Sequence, residues 1–201
     1  MLYENKFNEP MITYGQMNLL FSIRNLWRDI ATWSRAYMIN RTSNLKIAEE
    51  TFQRLYKIPQ EFGNILQYFI SYDHSVQFVQ MLSQQIVLFR SLLDALIAGD
   101  TNAVNQTVQE LYRLADERAA FMAAINPFWN ETVMKNLIYT FYQYTFDEVT
   151  SFLSGNYSKD IDIYDRLLHH SDTMGDYFTQ GLFNYITASH PDGNNTKRSD
   201  C

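Results

Sequence analysis

Asp165, His169, Asp172 and Asp176 are separated by four, three and four residues, so on a helix they share one face. Three carboxylates beside one imidazole are a donor set for a divalent cation. The face lies one residue, about 100°, past the apolar stripe Tyr164, Leu168, Ser171 and Gly175, which puts it at the helix boundary. The competing use of the same residues is a solvated flank in which the acids repel mildly and His169 pairs with Asp165. Asp116 lies 56 residues before Asp172, and Glu61 lies 56 before Glu117. With Glu148 added, the candidate metal ligands are His169, Asp172, Asp176, Asp116, Glu61 and Glu148. Gly175, on the same stripe, would let another helix or a ligand approach closely.

Other chemistry is poorly represented. Di-iron bundles use Glu-x-x-His pairs, and here no Glu is followed three residues later by His. There is no phosphate-binding glycine loop, no dinucleotide fingerprint, no Gly-x-Ser-x-Gly, no His-Glu-x-x-His and no cysteine pair. His74 follows Asp73 at the start of a helix and reads as a capping or surface residue. His170 is about 100° around the helix from His169, so the two do not serve one site. No catalytic residue and no organic cofactor is expected; a divalent metal is the one cofactor these residues allow.

These side chains sit in a chain of 201 residues, enough for one substantial core. Apolar residues make up 46% and charged residues 19%, a globular composition. Seven Gly and four Pro over that length argue for long uninterrupted helices. The net charge of −6, with scattered Lys and Arg, speaks against a nucleic-acid surface. The single cysteine, Cys201, excludes an internal disulfide, and the first eleven residues lack the basic start and apolar run of a signal peptide. No apolar stretch is read as the roughly 18 residues of a membrane span. The expectation is therefore a cytoplasmic protein with no nucleic-acid or membrane partner, for which a homo-oligomer or an unidentified protein partner remains open.

Apolar residues recur at helical spacing almost throughout. The stripes are Leu19 to Tyr37, Ile47 to Phe69 across Pro59, Phe78 to Leu96, Val104 to Met122, Met134 to Phe152, and Ile161 to Tyr185. Pro59 should kink or divide the second helix. Ser43 or Asn44 is the candidate cap for its start, Gly99 suits a left-handed helix end followed by an Asp100 or Thr101 cap, and Asn126-Pro127 and Gly155-Asn156 are turns. Laid over one another, these segments repeat every 56 residues: Gly99 with Gly155, Leu55 with Leu111 and Leu167, Leu26 with Leu82 and Ile138, Tyr56 with Tyr112, Trp33 with Phe89.

The predicted fold is all-α, a six-helix antiparallel bundle made of three helical-hairpin repeats at about 16–71, 72–127 and 128–188. Residues 1–14 form an N-terminal extension, 15–188 the bundle, and 189–201 a polar tail. The aromatics on the stripes, such as Trp33, Phe52, Phe89, Phe121 and Phe141, read as core.

The stretches Leu26-Trp27-Arg28-Asp29-Ile30, Glu61-Phe62-Gly63, Gln84-Gln85-Ile86, Leu114-Ala115-Asp116, Asn126-Pro127-Phe128-Trp129, Thr145-Phe146-Asp147-Glu148-Val149 and Met174-Gly175-Asp176 occur in a set order over about residues 17–186. In order and spacing the chain resembles a poorly characterised family of bacterial all-helical proteins, distantly ferritin-like, with repeated Glu-His-Ile and Asn-Ala-Asp motifs. The resemblance implies the same bundle, and repeated imidazoles that look like metal ligands or a polar core network. Here the repeated histidine positions are taken by Asp29, Gln85 and Phe141, so this member would not bind a metal in the same way. The resemblance brings no activity with it. The reading it leaves in front is a non-enzymatic bundle of structural or interaction role, with a metal-binding or redox ferritin-like bundle and a small-molecule-binding bundle as alternatives.

Overall fold

A computed structural model of the chain describes residues 12–189. Among them are six α-helices and no strands: α1 Tyr14–Thr42, α2 Ala48–Leu66, α3 Tyr72–Ala98, α4 Thr101–Ile125, α5 Glu131–Leu153 and α6 Tyr157–Ser189. The fold is an all-α helical bundle. Most of the proposed extension and tail, Cys201 included, lies outside the described residues.

Helices α1, α3, α4 and α5 begin where a side chain satisfies a free backbone N–H. Thr13 and Gln16 form a reciprocal capping box on α1, and Ser71, Asp100 and Asn130 cap α3, α4 and α5. The start of α2 differs from expectation. Ser43 is the C-terminal cap of α1, Asn44 takes a left-handed φ of 52°, and Ile47 precedes α2 without a side-chain cap. The chain thus spends its polar turn residues on ending α1. Pro59 does not divide α2, because Leu55, Ile58 and Phe62, all buried, hold the helix on both sides of it.

Each helix packs on the one that follows it, and α6 returns to pack on α1, closing a ring. One continuous core runs through the ring. At one place Trp27, Phe62, Phe78, Trp129 and Phe178 meet ring to ring, with centroids 4.7–6.2 Å apart. Trp129 is fixed by its indole N–H, which donates to the Phe178 carbonyl at 3.1 Å, while Asn126 donates to the Gly181 carbonyl. A Cβ on Gly181 would stand 2.0 Å from the Trp129 Nε1, so only glycine fits under that ring. Gly175 serves as expected: its missing Cβ would lie 2.8 Å from the Arg24 Cα, and the neighbour it admits is α1.

Two readings of individual helices change. The buried face of α6 runs Asp160, Ile163, Leu167, Ser171, Met174, Phe178 and Leu182, whereas Ile161 is 54% exposed. The first half of the stripe was therefore misplaced by one residue, because a carboxylate, Asp160, occupies a core position. Helix α3 is long and apolar enough to cross a membrane by length and composition alone, although less than half of its most apolar stretch is buried. On its outer face Val87 and Ile97, both exposed, add to that apolar character.

Candidate functional site

Of the six side chains proposed as metal ligands, four fall on three different seams, one is exposed and one lies in a separate buried cluster. Asp172 and Asp176 lie between α6 and α1, where Arg28 Nη1 meets Asp172 at 2.8 Å and Arg24 grips Asp176 through both oxygens. Asp116 lies between α4 and α5, with Lys135 Nζ at 2.7 Å and the Tyr139 hydroxyl donating at 2.7 Å. Those two partners hold the Asp116 carboxyl below its usual range. Glu61 shares Arg54 with Asp29 between α1 and α2. His169 is exposed on α6. Each of the five carboxylates is thus engaged by a cation from its own or a neighbouring helix, and no group of three or more His, Cys, Asp or Glu side chains is arranged around a common point among the described residues.

Glu148 belongs to a deeper arrangement. Arg35 of α1 donates through Nη1 to Glu148 at 2.5 Å and to Asp160 at 2.7 Å, and through Nη2 to Asp160 at 2.7 Å. Both carboxylates are almost fully buried, their side chains 3% and 2% exposed. The guanidinium also stacks over the Tyr164 ring, 4.7 Å from its centroid. Burial pushes the Glu148 carboxyl up to about 7, the opposing pull of Arg35 being outweighed. One cation therefore stitches α1, α5 and α6 together with two acids.

A second buried guanidinium is built the other way. Arg118 of α4 is 1% exposed and has no carboxylate partner among the described residues. Its Nη1 donates to Gln85 Oε1 of α3 at 2.6 Å, and the Tyr142 hydroxyl of α5 donates to the same oxygen at 3.1 Å. Arg118 Nε has no hydrogen-bond partner among the described residues. Burial lowers the guanidinium pKa, with Tyr142 opposing it, and burial raises that of Tyr142.

Gln85 and Tyr142 also form one wall of a cavity. An inner chamber of about 30 Å³ is bounded by Ile30 and Ser34 of α1, Gln85 and Phe89 of α3, and Phe141, Tyr142 and Thr145 of α5. An outer chamber of about 180 Å³, lined by Val108, Tyr112 and Gln143, shares Leu92, Leu111, Tyr142 and Phe146 with it. Neither chamber is lined by Asp or Glu. Thr145 donates to the Phe141 carbonyl at 2.9 Å, while Gln85 Nε2 and the Ser34 hydroxyl, both on the inner chamber, make no hydrogen bond among the described residues.

Of the positions where the resembling family carries histidine, Gln85 and Phe141 face this inner chamber, and Asp29 is half-exposed and paired with Arg54. The sequence pattern pointed to two of the cavity's walls without identifying the cavity. It missed Arg118, Arg35, Ser34 and Asp160. The signal for Arg118 was present: it falls four, three and four residues along the buried series Leu111, Ala115, Arg118, Met122, so an arginine stands where the core requires an apolar side chain. His170 is unconnected with His169, as expected; its Nε2 lies 2.7 Å from the Leu137 carbonyl, and burial holds its pKa below the ordinary imidazole value.

Compared with known proteins, the chain matches no family model, no curated protein and no solved structure. Its function is therefore argued from its own chemistry.

Proposed function

We propose that the chain is a non-enzymatic bundle, assembled from three helical hairpins, that binds a small and largely apolar molecule in the cleft between α1, α3, α4 and α5. The observation that carries this reading is the pair of joined chambers, apolar along their walls and ending on unused polar groups of Gln85 and Ser34. Apolar clefts with a few convergent polar groups are the usual form of small-molecule sites. The acids proposed as metal ligands are, on this reading, the ion pairs that align neighbouring helices.

The hairpin repeat is supported by three like helix ends. Asn44, Gly99 and Gly155 have φ of 52°, 70° and 75°. In each, the left-handed residue's N–H reaches the carbonyl three back, and the next N–H reaches five back: Arg41 and Asn40, Leu96 and Ala95, Phe152 and Ser151. Leu55, Leu111 and Leu167 are buried, as are Leu26, Leu82 and Ile138. In the same register, Arg118 stands where the other two copies place Phe62 and Met174, both buried. Antiparallel packing is favoured by the α1–α6 seam, where Arg24 meets Asp176, Arg28 meets Asp172 and Arg35 meets Asp160.

Calorimetric titration with benzamide, a neutral aromatic probe, tests the cleft. The intact protein should bind it with heat that saturates at one equivalent. Val108→Trp, at the half-buried outer wall, should abolish that heat without lowering the thermal midpoint. Equal binding by both proteins rules the cleft out.

A further inference from the structure

Resting on the small-molecule reading above, the inference concerns which class of molecule the cleft selects. We propose that the inner chamber takes the anionic head of a small monocarboxylate whose apolar body occupies the outer chamber.

An arginine cannot shed its proton in a protein, and a buried cation is ordinarily matched by an anion. Among the described residues Arg118 is matched by none: the groups it meets are the amide oxygen of Gln85 and the phenol of Tyr142, both neutral, and its Nε is without a partner there. In contrast, Arg24, Arg28, Arg35, Arg41, Arg54, Arg90 and Arg113 each face at least one carboxylate.

Gln85 lies between the guanidinium and the chamber. Because its Oε1 already accepts from both Arg118 and Tyr142, its Nε2 donors are the end left for the chamber that Gln85 lines. The amide dipole thereby carries the positive field of Arg118 inward, and the free Ser34 hydroxyl on α1 can add a donor. With apolar side chains around it and no acid on the walls, an acceptor there is reached by this field with little opposition. The neighbouring acids on α5 are occupied: Asp147 accepts from Gln143 at 2.9 Å and Glu148 is held by Arg35.

The inner chamber of about 30 Å³ suits a flat group of roughly carboxylate size. A second negative charge would find no further cation among Leu92, Leu111, Phe146 and Val108, and would be buried uncompensated. The fit is to one carboxylate on a compact aromatic or branched aliphatic body.

Benzoate and benzamide differ in charge while sharing their shape, so their affinities for the intact protein, measured by calorimetry at pH 7.5, decide the matter. Benzoate should bind about ten-fold tighter or better. Arg118→Met, which installs the side chain already present at Met174, should bring the two affinities within about three-fold of one another by weakening benzoate alone. Benzamide binding as tightly as benzoate to the natural protein overturns the proposal and leaves the apolar cleft standing. Absence of binding by either probe removes both. If the variant does not fold, the two affinities of the natural protein remain the deciding measurement.

Discussion

Arg35 and Arg118 are both guanidinium groups withdrawn from water, and the bundle compensates them in opposite ways. Around Arg35 there are two carboxylates for one cation, all three drawn from different helices, and the surplus is negative. Around Arg118 there is a cation and only neutral oxygens. Both clusters touch α5, through Glu148 and Tyr142, which stand six residues or about 9 Å apart along its axis. The interior is thus electrically lopsided along one helix. A closed cluster that satisfies itself has a structural use, whereas one left short of an anion is where a ligand's charge would be welcome. The two also differ in how they titrate: the acidic cluster can relieve its surplus by taking up a proton on Glu148, and the arginine has no such outlet.

The largest test of the contrast is Arg35→Met. Removing the cation strands two buried acids, and the expected loss is about 3–5 kcal/mol in urea unfolding at pH 7.5. A loss below 1 kcal/mol would mean that Arg35 is no more than a surface pair.

Next in size is the pH dependence of the acidic cluster. Glu148 binds a proton more tightly when folded, at about 7, than at its ordinary value of 4.5. Its contribution is therefore fully present below pH 4.5 and is lost as pH rises through 7. The span corresponds to roughly 3 kcal/mol. Glu148→Gln should abolish this decline, so that the difference in unfolding free energy between variant and natural protein grows in the variant's favour from pH 5 to pH 8. Parallel curves for the two would assign the titration to other groups.

The smallest effect is expected on the basic side. Tyr142→Phe removes one donor to Gln85 Oε1 and leaves Arg118 in place, at a cost of about 1 kcal/mol. The thermal midpoint should fall slightly and show no new pH dependence between 5 and 8. A loss as large as that of Arg35→Met would put the hydroxyl at the centre of the cluster.

Much of this was legible in the sequence, and the boundary is physical. Gly99 and Gly155 announced their left-handed turns, because few other residues adopt a positive φ without strain. The stripes through Leu55, Phe78 and Ile138 were readable from period alone, since an apolar series at helical spacing has few alternative uses. Asp160 and Arg118 were not, because periodicity weighs residues by polarity and both are polar residues on buried faces. Asp172 and Asp176 were placed on the correct helix boundary. Their partners Arg24 and Arg28 lie some 150 positions away, and no local pattern couples them. The cleft escaped for the same reason, since its walls come from four helices and its emptiness is a matter of how side chains fail to meet.

The return of α6 to α1 has a consequence for how the chain folds. Every other main seam joins helices that follow one another, so its contacts form across a short turn. The α1–α6 seam alone must bring together segments separated by most of the chain, and Ile12 and Thr187 end up on the walls of one groove. Loop-closure entropy falls on that single step. Cutting between Gly99 and Asp100 and bridging the ends of α1 and α6 by a short linker would turn the slow seam into a hairpin and a fast one into the closing step. The ring would be unchanged, and the order in which its helices meet would be rewritten.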